Sequence, residues 1–527
     1  MTRRVLTIAA SSALLASGCG GEETTEPFTG PDPATVTPAE APLFLESVVR
    51  PEGDQRAALE GALSKLLATD DPGGFIIQQL DQALKEAGGG ITYEDDIEPW
   101  LGSRAGLFLE TFTEDAKGAF IVATTDDAAT RRAIEEIAAA ERTPERRRTY
   151  EGVDYEVDRN GDAAGIVGSF LVAGPEAAFR DAVDASQGGS LAESGEFESQ
   201  LDAAPDGLVA FAYAEPQAVV DALKRSGQVT PAALRSAGLQ LYALVSAPAT
   251  ASISATSDQL ALEASAAAGG ELPASQESPL LRELPGDSWL AFAASDAGDA
   301  YAQALQQGRF LQGWLGFDLS AQLGEWLGDA GGFVRGSSLF GLGGAVVLET
   351  GDVQASARTL DDLQAALSGY PDLDVSPLEE EGEEGFSVAP AGVPVQFQFV
   401  QRDDRVIAGL GSQSIEDVLS PSSTLKDSGS FTAAAGALGG NFAPVAFVDF
   451  EPLFQLVDAF PDAASDPGYQ QAKPYLESLD YLVLGAGAER DQASGRAVLG
   501  LRDALSSADG LPREQGAAML DPSALAP

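Results

Sequence analysis

Apolar and polar positions follow two periods along the chain, one typical of strands and one of helices. Residues 43–49 form a short, mostly apolar segment typical of a strand, and residues 55–68 place leucines on one side of a helix. Residues 118–137 join an apolar strand to a helix through a turn with acids near the helix start. Strands in runs, with helices between them, predict an α+β fold of mainly antiparallel sheet with packed helices.

Several hairpins are also predicted. In residues 155–174, Asn160 and Gly161 supply the positive-φ residues of a tight turn. Each half of the chain closes on a pair of strands. These pairs are predicted at 239–248 with 251–267, and at 481–488 with 496–501.

The pattern occurs twice. Five blocks of the first half return in the second half in the same order and with similar spacing. The blocks are IEPWLG at 97–102 with LGEWLG at 323–328, the Gly-rich apolar stretches that follow them, the strand and helix at 118–137 with 344–363, SGEF at 194–197 with SGSF at 428–431, and LVAFAYAEP at 208–216 with PVAFVDFEP at 444–452. The sequence therefore predicts two tandemly duplicated α+β units.

Composition sets the borders of these units. Residues 20–41 are rich in Gly, Pro, Thr and acids and cannot bury enough apolar surface to order themselves, which indicates a flexible tether. A second polar stretch, at 269–279, carries two prolines. The predicted organisation is a signal peptide at 1–18, the lipidated Cys19 and tether at 19–41, a first repeat at 42–268, a linker at 269–283, a second repeat at 284–506 and a disordered tail at 507–527.

The N-terminus reads as an export signal. Arg3 and Arg4 precede an apolar run of about 11 residues, which is about 16 Å as a helix. A membrane span needs about 20 residues, so the run fits the apolar core of a signal peptide. Small residues lead up to Cys19, the only cysteine of the 527 residues. We expect cleavage before Cys19 and lipidation of its thiol, which would anchor a bacterial lipoprotein to a membrane outside the cytoplasm. The expected location is the outer face of the cytoplasmic membrane or the periplasmic side.

The charge is strongly negative. With 81 acidic and 31 basic residues the formal net charge is −50. Such a chain repels nucleic acid, whose binding needs Lys and Arg against the phosphates, so we expect no nucleic-acid partner. Broad adhesion to anionic lipid headgroups is disfavoured for the same reason, which leaves the acyl chains on Cys19 as the expected membrane contact.

Histidine is absent from the sequence. This removes the commonest general base at neutral pH and the commonest zinc ligand. Nucleophiles paired with histidine are excluded, and carboxylate pairs, Ser-Lys dyads and carboxylate-bound metals remain. No catalytic motif is complete, so we expect no enzymatic activity, no cofactor and no metal.

A family resemblance rests on three of these features. They are the early strand in PAEAPLFLESV at 38–48 (LPGDSWLAFAA at 284–294), the WLG block, and the helix at SGEF or SGSF that leads into AFAYAEP or AFVDFEP. The repeated unit resembles the bacterial lipoproteins grouped as domain-of-unknown-function family 3352, over about residues 38–507. The resemblance implies an exported, largely uncharacterised protein and supplies no catalytic residues.

Two segments resemble known chemical motifs without completing them. Residues 158–162 (DRNGD) resemble a calcium loop, but the twelfth position from Glu156, where an acid would clamp the ion, holds Val167. A hairpin turn explains the same residues. Ser423 and Lys426 have the S-x-x-K spacing of β-lactamase-like enzymes, without the accompanying elements. A serine at a helix start and an exposed lysine are the favoured interpretation.

The remaining candidates have structural explanations. The glycine clusters at 341–344 and 485–487 lie in predicted strands and complete no dinucleotide fingerprint, so bulges or close strand packing are expected. The acids at 379–384 are interpreted as a solvated loop rather than a cation site. Trp100 and Trp326 occupy equivalent places and are predicted to be core anchors.

These observations leave three functional hypotheses. The first is a membrane-anchored binding or scaffolding module that presents two similar lobes to a protein of the cell envelope. The second is a carrier of a small or lipidic ligand held in or between the lobes, for which the small-residue strand at 163–174 would leave room. The third is a carboxylate-dependent hydrolase, which requires two acids that converge in a cleft.

Overall fold

The computed structural model describes most of the chain between Phe28 and Asp503. The described ranges are 28–86, 91–111, 117–141, 146–219, 221, 245–268, 276–298, 317–338, 341–378, 384–393, 395–489 and 492–503. Cys19, the predicted tail at 507–527 and the acids at 379–383 lie outside these residues.

Contacts divide the chain into two compact units, each described here by itself. The first comprises Met1–Leu272 with Arg490–Ser494 and Leu501–Pro527, and the second comprises Pro273–Glu489 with Gly495–Gly500. Antiparallel strands and packed helices occur in the described part of both units, which confirms the predicted α+β class.

The sheet of the first unit is antiparallel throughout its described pairings. Its strands are β1 Leu43–Val48, β2 Leu101–Leu109, β3 Gly118–Thr124, β4 Arg146–Tyr150, β5 Val153–Val157, β6 Asp162–Val167, β7 Phe170–Pro175, β8 Leu208–Ala214, β9 Val245–Thr256 and β10 Gln259–Ala268. Their pairing gives the order β10-β9-β8-β1-β2-β3-β7-β6-β5-β4.

The second unit repeats this plan. Its strands are β11 Ser288–Ala294, β12 Leu327–Arg335, β13 Gly343–Thr350, β14 Leu373–Pro377, β15 Glu384–Pro390, β16 Phe397–Arg402, β17 Arg405–Leu410, β18 Ala443–Asp449, β19 Leu479–Glu489 and, through its residues Gly495–Gly500, β20 Gln492–Leu501. They pair in the order β20-β19-β18-β11-β12-β13-β17-β16-β15-β14, which is the order of the first unit strand for strand.

Helices connect the strands in both units. In the first unit they are α1 Gly53–Leu66, α2 Pro72–Glu86, α3 Asp127–Glu141, α4 Glu176–Gln187 and α5 Gly195–Asp202, with a 3₁₀ turn at Pro33–Val36, a π-helical turn at Tyr93–Ile97 and a 3₁₀ turn at Leu191–Glu193. In the second unit they are α6 Pro279–Glu283, α7 Leu319–Trp326, α8 Val353–Leu367, α9 Gly411–Leu419, α10 Gly429–Leu438, α11 Phe450–Asp458, α12 Pro461–Ala464 and α13 Pro467–Leu476, with a 3₁₀ turn at Leu425–Asp427.

The first unit buries both faces of its sheet. Ile121 and Val122 are neighbours on β3, point to opposite faces and belong to different core clusters. One cluster includes residues of α1 and α2, and the other includes residues of α4 and α5. Burial on both faces explains why β3 is a continuous apolar run rather than an alternating one.

Equivalent helices begin in the same way in the two units. Ser194 accepts a hydrogen bond from Phe197 N at 3.4 Å and caps α5, and Ser428 accepts one from Phe431 N at 3.5 Å and caps α10. The Phe197 ring then packs edge-on against Phe211 at 6.1 Å between ring centroids, and Phe431 against Phe447 at 5.5 Å. The S-x-x-F block therefore sets a helix start and anchors the helix on the sheet.

Two segments that the sequence marks as connections belong to the folded units. Phe28, Ala34 and Val36 of the predicted tether are at most 4% exposed and lie in the core of the first unit. In the predicted linker, α6 buries Leu280 and Leu281. Both predictions are wrong for these parts, because a few well-placed apolar residues suffice when the rest of the segment makes backbone hydrogen bonds to the unit.

Those backbone contacts are equivalent in the two units. Pro38 forms a bridge with Ser190, and Leu191 N donates to Thr37 O at 2.8 Å. In the second unit Pro285 forms a bridge with Thr424, and Leu425 N likewise donates to Leu284 O at 2.8 Å. Each unit thus begins one element earlier than its first strand.

Two predicted turns also differ from the structure. Gly161 has a φ of 89°, but Asn160 is not among the positive-φ residues, because the Asp158 carboxylate shapes the turn instead. The closing hairpin of the first unit turns after Thr256 rather than near Pro248, and β9 continues through Pro248. The β9–β10 register is irregular at that position, where a proline is tolerated.

Candidate functional site

A buried ion pair lies between neighbouring strands of the first unit. Glu46 is on β1 and Arg104 on β2, and they are 3% and 5% exposed. Phe44, Glu46 and Val48 alternate on the face of β1 that packs into the core, so the carboxylate stands in a row of apolar side chains. A charge in such surroundings requires a partner, and Arg104 supplies it.

The Arg104 guanidinium also holds the segment that precedes the sheet. Its Nη2 donates to Glu46 Oε2 and, at 3.0 Å, to Asp32 Oδ1, and its Nη1 donates to Gly30 O at 3.4 Å. The guanidinium carbon lies 4.7 Å from the centre of the Phe28 ring, within range of a cation–π interaction. Arg104 therefore connects two strands and the N-terminal segment.

The pair is imperfectly satisfied. In the described part of the chain, Glu46 Oε1 and Arg104 Nε are buried without a hydrogen-bond partner. Burial raises the pKa of Glu46 from 4.5 to about 7, although the charge and the hydrogen bond of Arg104 lower it. The site therefore titrates near neutral pH, and the sequence interpretation did not identify it. The available signal was the glutamate in LFLESV, at a position where strand alternation points inward.

The residues of the calcium-like loop form a closed turn. Asp158 Oδ1 accepts from Asn160 N at 2.8 Å and from Asp162 N at 2.9 Å. The carboxylate is thereby used by the backbone of its own loop, as in an Asx turn. The described residues contain no group of three or more Cys, Asp or Glu side chains placed to hold a metal ion.

The S-x-x-K residues are not brought together as a site. Ser423 and Lys426 are exposed, and Leu425 between them is buried in a 3₁₀ turn. Ser423 O accepts from Gly286 N at 2.9 Å, so this stretch serves to attach the start of the second unit. The exposed lysine agrees with the favoured interpretation, whereas the residue at the start of the 3₁₀ turn is Thr424 rather than Ser423.

The tryptophans and glycines have structural positions. Trp100 and Trp326 are 1% and 4% exposed and lie in core clusters, as predicted. Trp100 Nε1 donates to Asp96 O at 2.6 Å, and Trp326 Nε1 donates to a threonine hydroxyl at 3.0 Å. Gly344 and Gly485 lie in strands, where an added Cβ would come within 2.6 Å and 2.9 Å of neighbouring atoms, which agrees with close packing.

A small cleft opens beside α3 in the first unit. Its volume is about 30 Å³, enough for a few water molecules. Arg131, Arg147, Tyr155 and Glu156 are among its lining residues. Arg147 is within 3.4 Å of Glu156, so the polar groups of the cleft already pair with one another.

A row of small and apolar residues, three of them exposed, crosses the sheet of the second unit. Directly paired residues lie on the same face, and the pairing runs Leu484–Ala446–Phe292–Gly332–Val346–Ala408 over six strands. At about 4.8 Å per strand, the row is about 24 Å long. Phe292, Val346 and Leu484 are 42%, 43% and 38% exposed. Sequence alone did not single out this row, because strand order decides which apolar residues become neighbours.

The first unit exposes a smaller apolar pair. Ile253 on β9 and Leu262 on β10 are paired across the hairpin and are 42% and 49% exposed.

Among the described helices of both units, none is at once long enough and apolar enough to cross a membrane.

Comparison with known proteins identifies a family whose description names no function. A family model described as "Protein of unknown function (DUF3352)" matches residues 62–497, in one span that runs through both units. No curated protein matches the chain.

Among solved structures the chain is similar to TP0453. Crystal form III matches with 10% identity and a TM-score of 0.24 over 46% of this chain and 82% of that one. Form IV gives 12% identity and 0.25 over 45% and 80%, and form I gives 10% and 0.16 over 74% and 96%. Scores this low carry no argument about function. The family match, which covers most of the sequence, does establish membership: this chain belongs to the DUF3352 family.

Proposed function

We propose that this protein is an exported lipoprotein, held outside the cytoplasm by a lipid on Cys19. The observation that supports anchoring is the N-terminal leader, with two arginines, a short apolar run and small residues before the single cysteine. A run this short does not span a bilayer, whereas acylation of the cysteine would hold the mature chain at the membrane surface.

We also infer that the two units are tandem copies of one ancestral unit. Their strand orders agree strand for strand, and the five repeated sequence blocks fall on equivalent elements. The serine caps and the edge-on phenylalanine pairs recur with nearly the same distances. Independent origin would not reproduce details at each of these levels.

The anchored part acts as a non-catalytic binding module in this proposal. The observation that carries it is the apolar row of Phe292, Val346 and Leu484, because exposed apolar patches on soluble units mark interaction sites. The chain has a net charge of −50, so the partner that fits best is an envelope protein with an apolar contact surface and a neutral or basic rim. The row is also long enough for an acyl chain, which keeps the lipid carrier as the alternative.

Anchoring is tested by replacing the lipidated residue. Cys19→Ser removes the acylation site and should release the protein from membranes into the soluble fraction, measured by fractionation and immunoblotting. Persistence of this variant on membranes washed at high salt would show that the anchor lies elsewhere.

Binding is tested by a photo-crosslinking amino acid at Phe292, with Val353 as the matched control. Val353 is exposed to 49% but lies on α8, outside the row. A protein adduct at residue 292 and none at 353 supports the binding module. A lipid adduct, or lipid retained in native mass spectrometry, supports the carrier instead. Equal labelling at both positions contradicts a specific site on this face.

A further inference from the structure

The N-terminal strap, defined as Phe28–Ala41, is fixed to the first unit along its length. Its 3₁₀ turn at Pro33–Val36 buries Ala34 and Val36, and Ala39 N donates to Gly189 O at 3.1 Å. At its start, Ser103 Oγ donates to Thr29 O at 2.8 Å. The strap is thus an integral element of the unit rather than a free tether.

Side chains of β2 lock the first residues of the strap. Phe28 is 4% exposed beneath the Arg104 guanidinium, and Asp32 accepts a hydrogen bond from the same group. Gly30 has a φ of +91°, and a Cβ there would lie 2.1 Å from Ser103 Oγ. The backbone can approach β2 this closely only with glycine at that position.

The position of this lock determines how far the unit can move from Cys19. From Cys19 to Phe28 the chain advances nine residues, at most about 32 Å when fully extended. If the strap were undocked, the free chain would run from Cys19 to Leu43, which is 24 residues and at most about 85 Å. For a flexible chain the corresponding root-mean-square lengths are about 17 Å and about 27 Å.

We propose that the docked strap holds the first unit close to the lipid surface, with the Phe28 end of the strap facing the membrane. This inference rests on the lipidation of Cys19 proposed above. With the strap docked, the nine residues from Cys19 to Phe28 set the separation between the unit and the lipid surface. The strap limits that separation, and the Arg104 lock is the positioning element.

The test measures the distance between the first unit and the bilayer. Full-length lipidated protein is reconstituted in phosphatidylcholine vesicles that contain an acceptor-labelled lipid. A donor dye is placed on Glu198→Cys, an exposed position on α5 of the first unit; acylation of Cys19 leaves this as the only free thiol. The strap is released by Phe28→Ala, Asp32→Ala, Ala34→Asp and Val36→Asp, which remove its buried contacts along its length and leave the strand residues Glu46 and Arg104 in place.

The released variant should lie about 10 Å farther from the acceptor plane than the wild type, with lower energy transfer. Its strap should also be cleaved faster by a protease added outside. Thr35→Ala is the matched control, since its exposed hydroxyl donates to Asp32 O within the strap turn, and it should behave as wild type. A wild-type chain with 15 Gly-Ser residues inserted before Phe28 should reproduce the longer distance with an intact strap.

The outcomes separate this inference from the proposed anchor. If the insertion lowers energy transfer but the released variant matches the wild type in transfer and cleavage, strap docking does not set the distance. If wild-type protein does not stay on the vesicles, the lipid anchor itself is wrong, and the inference fails with it.

Discussion

Removal of the Arg104 side chain should destabilise the first unit strongly. Glu46 would remain 3% exposed in an apolar row without its cation, and breaking a buried ion pair by removing one partner costs about 3–5 kcal/mol. The loss of the cation–π contact with Phe28 and of the hydrogen bonds to the strap adds to this cost. We therefore expect Arg104→Ala to reduce the free energy of unfolding of this unit by at least about 3 kcal/mol at pH 8.

The cost should depend on pH in a defined direction. Without Arg104, the pKa of Glu46 rises further above about 7, since the cation lowers it in the wild type. At pH 8 folding must then either bury an unpaired carboxylate or protonate it, whereas at pH 5 the side chain is neutral in the folded state. The destabilisation by Arg104→Ala should consequently be larger at pH 8 than at pH 5.

Hydrogen exchange measured by mass spectrometry provides the assay, because it reports each unit separately. Peptides from β1 and β2 should show the loss, and those from β12 should not. Arg335→Ala is the matched control: Arg335 lies on β12 and pairs with Asp417 at 2.6 Å, but its side chain is 19% exposed. Its removal should cost less and affect the second unit. A loss below about 1 kcal/mol at pH 8 for Arg104→Ala, or none of the expected pH dependence, would refute the burial argument.

Two further predictions concern single side chains. Folding raises the pKa of Glu46 from 4.5 to about 7, so the folded state binds the proton more tightly than the unfolded chain does. The free energy of unfolding of the wild type should therefore fall as pH rises from 4.5 to about 7. Urea unfolding at several pH values measures this fall, which is about 3 kcal/mol at most. Glu46→Gln should remove the fall, and identical pH profiles for the variant and the wild type would contradict the prediction. Gly344→Ala should destabilise by about 1–3 kcal/mol, because its Cβ would lie 2.6 Å from a backbone oxygen. At Gly343 an added Cβ comes no nearer than 3.2 Å, to the Ser414 hydroxyl, so Gly343→Ala should cost less in the same thermal unfolding experiment.

The sequence predicted the fold where local pattern decides it. The apolar run of β3, the helix that begins after Ser194 and the repeated tryptophans are local signals, and each has the predicted role in the structure. It failed at Pro248, where the proline suggested a strand end, because tolerance of a proline depends on the partner strand and its register. The sequence prediction was also wrong for the strap, because its polar composition outweighed the few apolar residues that pack into the core.

The candidate sites were less predictable, because they depend on contacts between distant residues. Glu46 and Arg104 are far apart in sequence, and only the pairing of β1 with β2 makes them neighbours. The apolar row of the second unit requires the strand order, since Phe292 and Leu484 belong to strands at opposite ends of that unit's sequence. The sequence pattern shows which residues are apolar or charged, but the fold determines which other residues they contact.

The edge strands β4 and β14 affect how neighbouring copies of the protein can contact one another. β4 and β14 each pair with one neighbour in the part of the chain described, and such edges invite strand addition by another molecule. β4 carries Arg146 and Arg147 at exposed positions, and β14 carries Asp374 and Pro377. Charge and proline disfavour edge-to-edge pairing, so the dense packing on a membrane that the proposed lipid anchor implies should not convert neighbouring copies into β-aggregates.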